Sequence, residues 1–180
     1  MIFMGFSGRA RSGKTSACEA IRSYALRNSI SVAIYDIGSM IRLHCIASGL
    51  LPENLDRKDM TREHLDVLVA MGNKMRAHDE NFWIKQMLAA VERDRPEIAL
   101  CPNVRFATEA LTIRQAGGVI VRCTRYNADG SLYISEDRNP NDVTETSLEF
   151  WPPDYYLAMK TGQAGLMDLQ AVALCKFIKR

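Results

Sequence analysis

The chain has 180 residues, 47% of them apolar and 24% charged, with a formal net charge of +2. That length suits one domain with a sizeable core. So weak a charge gives no pull toward nucleic acid or an anionic membrane, and no apolar run is long enough to span a bilayer.

The elements read in chain order as follows. "MIFMGFS" is a buried strand, and "GKTSACEAIRSYALRN" a helix with Ala17, Ile21, Tyr24, Ala25 and Leu26 near helical spacing. "SVAIYD", residues 31–36, is β-rich, and "IGSMIRLHCIASG" is a helix ended by Gly49 and Pro52. The polar "PENLDRKDM" is a connection. Thr61 is an N-cap, with Glu63 in the first turn, for a helix through about Arg76. Asp79 caps the next, "ENFWIKQMLAAVERD", which stops before Pro96. "EIALCPNV" is a third strand broken by Pro102; "TEALTIRQAGG" is a short helix ended by Gly117; "VIVRC" is a fourth strand. Residues 124–143 are polar, carry Asp-Gly and Asn-Pro turn signals, and are the candidate for a mobile flap. "DYYLAM" is a fifth strand, and "AGLMDLQAVALCKFIKR" a closing helix with Leu166, Leu169, Ala173 and Phe177 on one side. Strands alternating with helices predict an α/β fold, a parallel five-stranded sheet with helices on both faces.

Cys18, Cys45, Cys101, Cys123 and Cys175 form no C-x-x-C pair, and the three histidines share no ligand spacing with them. That pattern points to reduced thiols and a cytoplasmic protein, not to disulfides or zinc. The apolar start is interrupted by Arg9 and Arg11 and does not read as a signal peptide.

The string with the most chemistry is "GRARSGKT", residues 8–15, which satisfies G-x-x-x-x-G-K-[ST] between a strand and a helix. Gly8 and Gly13 permit backbone angles and close approaches that a side chain would block. Amides of the stretch Gly8, Ala10, Arg11, Ser12, Gly13, Lys14, Thr15 and Ser16 can then cradle phosphate, helped by the positive end of the following helix. Lys14 reaches the terminal phosphates, and the Thr15 hydroxyl is offered to Mg²⁺. The bland alternative is a Gly-rich turn with a solvated lysine; intact spacing and flanks weigh against it.

A GTP switch often carries N-K-x-D, and the nearest string, "NKMR" at 73–76, has Arg76 in the acidic position. A motor ATPase usually ends a strand in a carboxylate, where this chain has Asn103 in "CPNVRF". A small-molecule kinase needs positive charge for a second anion, and Arg42, Arg76, Arg105, Arg125 and Arg138 lie at element ends. Asp36, Asn103, Arg105 and Arg125 fall at the carboxyl ends of strands, where ligands gather in open parallel sheets. Each arginine alone reads more readily as a solvated charge, and several at one rim shift the balance toward phosphate.

"GRARSGKTS", "ALCPNVRFATEALTIRQAGGVIVRCTR" and "NDVTETSLEFWPPDYYL" together resemble the phage-type deoxynucleoside monophosphate kinases, a P-loop NTPase family of nucleotide kinase-like fold. The segment "IGSMIR…TREHLDVLVAMGNKMR" is similar to the acceptor-side helices of related P-loop kinases. The resemblance implies one kinase domain over 1–180, an acceptor-side helical region at about 37–95 and the flap at 124–143. It implies ATP-dependent, Mg²⁺-assisted phosphoryl transfer to a (deoxy)nucleoside monophosphate. Lys14 and Thr15 would serve the donor, Arg105 the acceptor or transferring phosphate, Arg42 and Arg76 the acceptor, and Arg125 and Arg138 the closing flap. Asn103 departs from the Asp many members carry, and Asp142 from their His.

Asp36 reads equally as a Mg²⁺ partner through water, a contact to an acceptor hydroxyl, or a helix cap; Glu109 as a holder of Arg105 or an exposed early-helix acid. Phe82, Trp83, Trp151 and Tyr155 read as core more readily than as base-stacking groups. Two other readings stay open: a P-loop kinase for another phosphorylated metabolite, and a nucleotide-binding regulator with little turnover. The expected partners are ATP and a monophosphate, with no nucleic acid or membrane, and a homodimer is compatible with the sequence.

Overall fold

Five strands, β1 (Ile2–Ser7), β2 (Val32–Ile34), β3 (Ile98–Cys101), β4 (Val119–Tyr126) and β5 (Tyr155–Lys160), pair in parallel in the order β2-β3-β1-β4-β5. β1 therefore lies at the centre, with Met4 beside Leu100 on one flank and Val119 on the other. The computed structural model describes residues 1–136 and 139–179.

The chain divides into two compact units, residues 1–34 with 95–180, and residues 35–94. The first holds the sheet with α1 (Lys14–Arg27), α5 (Ala107–Gln115), the one-turn α6 (Val143–Thr146) and α7 (Ala164–Ile178). One sheet face, with Met4, Phe6, Leu100 and Val121, packs against Ala17, Cys18, Ile21 and Ala25 of α1 and Met167, Ala171 and Cys175 of α7. The small residues of α1 let it sit close to the sheet. α5 packs on the other face, where a Cβ on Gly5 would stand 2.8 Å from Ile113 and 2.9 Å from Ile120. The β1 strand can thus carry residues without bulk where a helix presses on it.

Two apolar features differ from expectation, one on α1 and one on α7. Leu26 is 62% exposed, and the side of α7 carrying Leu166, Leu169, Ala173 and Phe177 faces solvent, Leu169 at 72% exposure. α7 is apolar around most of its circumference, so periodicity alone leaves its phase open. The buried stripe is Met167, Ala171 and Cys175, spaced by four. All five cysteines are buried thiols.

The second unit is helical: α2 (Ile37–Ala47), a 3-10 turn (Arg57–Asp59), α3 (Arg62–His78) and α4 (Phe82–Asp94). Asp36 caps α2, accepting from Gly38 N–H at 3.2 Å and the Ser39 hydroxyl at 2.9 Å. Thr61 caps α3 as expected, but its reciprocal partner is His64, whose Nδ1 accepts from Thr61 N–H at 3.1 Å. Asp79 ends α3 and also accepts from Asn81 N–H at the entry to α4; Lys85 at 2.6 Å holds its carboxyl below the ordinary range. Trp83 is core, its indole N–H donating to Gly72 O at 3.2 Å.

Candidate active site

The chain leaves β1 at Ser7 and turns through a loop with Gly8 at φ 134°, Arg11 at φ 58° and Gly13 at φ 96°. A Cβ on Gly8 would lie 2.2 Å from the Cys123 carbonyl oxygen on β4, so only glycine lets the loop start so close to its neighbour. Arg11 in the left-handed region is a local strain that the loop maintains. Gly13 is the N-cap of α1 and has no side chain of its own to cap this end. Helix amides and dipole are thereby directed at the loop's interior, the arrangement that suits an anion.

Lys14 folds back over the loop. It is only 5% exposed, and its Nζ donates to Gly8 O at 2.9 Å and Arg9 O at 2.7 Å. A buried ammonium must be met by acceptors, and here backbone carbonyls serve. Thr15 and Ser16 are exposed in the first turn of α1.

Val104 N–H donates to Phe6 O at 3.0 Å and draws residues 103–105 alongside the end of β1. Glu109 is buried, not an exposed acid: its carboxylate accepts from the backbone N–H of Arg105 at 2.8 Å and of Phe106 at 3.2 Å. It fixes the turn from which the Arg105 side chain springs. The Arg105 guanidinium donates to Thr144 O and to Glu145 Oε1, both at 3.0 Å. The other Glu145 oxygen accepts from Ala10 N–H at 2.6 Å.

Arg9 donates to both carboxylate oxygens of Glu149 at 3.2 Å and to Pro140 O at 3.1 Å. Arg122 donates from Nε to the Ser7 hydroxyl at 3.3 Å, and also to the carbonyls of Leu148, Glu149 and Trp151. Burial pushes the Arg122 pKa below its ordinary value. Beyond this, Arg114 grips Asp154 with two hydrogen bonds at 2.8 and 3.0 Å and stacks on Trp151 at 4.1 Å. The segment 139–151 is thus tied to the loop at residues 8–15 and to the sheet mainly by arginines.

A pocket of about 550 Å³, its open mouth included, is bordered by Gly8, Ser12, Arg105, Cys123, Arg125 and Tyr133, among others. Four arginines (Arg9, Arg105, Arg122 and Arg125) line it against two glutamates (Glu145 and Glu149), so the balance favours an anion. Arg125 lies 3.9 Å over the Tyr133 ring and donates to the Thr161 hydroxyl at 3.1 Å. Residues 124–126 of the expected flap are strand, and the chain turns back at 127–131, where Asp129 accepts from Ser131.

Of the residues singled out by sequence, the stretch 8–16, Asn103, Arg105, Glu109 and Arg125 belong to the first unit. Asp36, Arg42 and Arg76 belong to the second, where Arg42 donates to Leu55 O at 2.9 Å. Arg138 lies outside the described residues. Sequence reasoning passed over Arg9, Arg122, Glu145 and Glu149. Glu145 sits in the quoted "VTETSL", and the motif's x position hid Arg9.

No protein-family model and no curated protein matches the chain. Among solved structures it is similar to APS kinase CysC of Mycobacterium tuberculosis in complex with AMPPNP and APS, at 18% identity and TM-score 0.51, over 99% of this chain and 97% of that one. A mutant of the same kinase aligns at 16% identity and TM-score 0.48, over 99% and 96%. Thymidylate kinase of Ehrlichia chaffeensis aligns at 13% identity and TM-score 0.42, over 97% and 98%. At such identity the likeness concerns the fold alone: an α/β architecture around a five-stranded parallel sheet.

Proposed function

We propose that the chain is an ATP-dependent phosphotransferase whose acceptor is a (deoxy)nucleoside monophosphate. The observation that carries this reading is the loop at residues 8–15: left-handed Gly8, Arg11 and Gly13, a glycine at the N-cap of α1, and Lys14 folded over the loop's own carbonyls. Those carbonyls are weaker partners for an ammonium than a polyphosphate, so the donor would draw Lys14 onto itself.

A monophosphate acceptor has its second ionisation near pH ~6, so it is already an oxyanion and needs no strong general base. The protein's task is to hold two polyanions together and to stabilise charge that develops on transfer. Lys14 and the loop amides would bind the donor, and Arg105 and Arg125 would face the transferring group. Arg42 and Arg76 are assigned to the acceptor on the sequence resemblance alone, and Asp36, from its place at the end of a strand, would meet Mg²⁺ through water or an acceptor hydroxyl. Mg²⁺, when bound, supplies further neutralisation of the phosphates. The Thr15 hydroxyl, exposed in the first turn of α1, suits it as a hard oxygen donor. Among the described residues no group of three acidic, His or Cys side chains could hold a metal, which fits an ion carried mainly by phosphate and water.

The likeness to an APS kinase favours a second reading, in which the acceptor is a different phosphorylated compound, with APS the first to try. The test is ADP formation from ATP and Mg²⁺ with each monophosphate in turn, and with APS. Stimulation by a nucleoside monophosphate is expected. Stimulation by APS alone moves the acceptor to the second reading. Tight ATP binding with no acceptor-dependent ADP points to a regulator and overturns the kinase assignment.

A further inference from the structure

We infer that Glu145 is an internal stand-in for donor phosphate, a carboxylate that occupies the phosphate loop until a polyanion displaces it. The inference rests on residues 8–15 being a donor loop, and it adds a built-in competitor to that site. The Glu145 side chain is only 4% exposed and spans two groups that serve anions. One oxygen takes the Ala10 N–H at 2.6 Å and the other pairs with Arg105 at 3.0 Å. A single N–H cannot direct its proton at a carboxylate and at a phosphate oxygen together. A triphosphate delivered to this loop would also bring its charge beside a buried carboxylate, and like charges repel most where water is scarce.

A second carboxylate repeats the pattern. Glu149 accepts both of its hydrogen bonds from Arg9, the residue that precedes Ala10 in the loop. Segment 139–151 therefore places an anion on each of two cationic groups around the pocket mouth. It is also a segment built to let go. α6 is a single turn, Val143 is 59% and Phe150 96% exposed, and Leu148 is its buried apolar anchor. Apart from the half-buried Trp151 ring under Arg114, the rest of its hold is polar: Arg9, Arg105 and Arg122 donating to its carboxylates and carbonyls. Those hydrogen bonds exchange for bonds to phosphate with little net change, whereas an apolar clasp would have to be exposed to water. Displacement of Glu145 also frees the Arg105 guanidinium to turn toward the new anion. Donor binding and arginine delivery are thereby one event.

The test uses inorganic tripolyphosphate, without nucleoside or Mg²⁺, titrated by calorimetry into the wild-type chain and Glu145→Gln. Glutamine keeps the size and loses the charge. A gain in affinity of roughly tenfold or more is expected, the worth of one charge-assisted hydrogen bond. In the wild type the Ala10 amide resonance should move as tripolyphosphate saturates. Equal or weaker binding by Glu145→Gln overturns the inference, because a residue that only positions Arg105 would help the anion and not oppose it. If that variant fails to fold, the wild-type resonance decides: an Ala10 amide that stays fixed at saturation overturns the inference. Failure of the kinase reading looks different, since tripolyphosphate would then bind with the expected ratio while no acceptor yields ADP. If neither chain binds tripolyphosphate, both readings fall.

Discussion

Gly8→Ala isolates the close approach between the loop at residues 8–15 and β4. The added Cβ would stand 2.2 Å from Cys123 O and 2.9 Å from the Ser12 hydroxyl, on a residue at φ 134°. Gly130 provides the control: it sits at φ 88° in the turn after β4, with nothing within 4 Å of an added Cβ. Both variants carry backbone strain, on the order of 1–2 kcal/mol. Gly8→Ala adds a clash with backbone that no rotamer relieves, and forced repacking of that kind costs about 1–3 kcal/mol more. The sum is about 2–5 kcal/mol against about 1–2 for Gly130→Ala. In a domain of this size 1 kcal/mol moves Tm by roughly 2–4 °C, so the expected drops centre on about 10 °C and about 4 °C. Differential scanning calorimetry measures both. If the two variants melt within about 2 °C of one another, the loop does not press on β4 and the reasoning fails.

Lys14→Ala should weaken ATP binding by roughly 10- to 100-fold, since a charged donor to phosphate contributes about 1.5–3 kcal/mol; unchanged affinity by calorimetry would remove Lys14 from the donor site. Asp154→Ala should lower unfolding free energy by about 2 kcal/mol in urea, because Arg114 loses a bidentate partner and Ile120 N–H its acceptor at 2.7 Å. An unchanged urea midpoint would argue against Asp154 as a clasp between β4 and β5. The Tyr35 hydroxyl, pushed up to about 12 by burial and by the Asp94 carboxylate, stays protonated in the fold after an ordinary tyrosine has ionised. Its contribution is complete below pH ~10 and is lost as pH rises toward ~12, because the unfolded chain releases that proton first. Tyr35→Phe should flatten the fall in stability over that window, and an unaltered alkaline profile would contradict the assignment.

The shape of the loop at residues 8–15 was legible because it is local. Eight consecutive residues carry the glycines, the lysine and the hydroxyl, with a strand on one side and a helix on the other. Thr61 and Gly117 were legible for the same reason, as caps whose partners lie within a few positions. The phase of α7 was not, because Leu166 and Leu169 compete with Met167 and Ala171 in any periodic count, and the sheet alone decides between them. The companions of the loop were hidden by distance along the chain. Ala10 meets Glu145 across 135 residues, and Arg122 meets the Ser7 hydroxyl across 115. No spacing rule joins such positions. Glu109 could be read only halfway: its place early in a helix was plain, but its burial under the Arg105 turn depended on the fold.

The placement of the thiols gives the molecule its own internal clock. Cys18, Cys101, Cys123 and Cys175 are shut inside the sheet unit, and Cys45 inside the helical one. Burial raises Cys123 to about 12 and pushes Cys45 and Cys175 upward as well. A maleimide in the buffer therefore finds few thiolates to attack until a unit opens. Peptide mapping of the modified chain would assign each opening to its unit, timing the helical part by one sulfur and the sheet by four, with no reporter introduced.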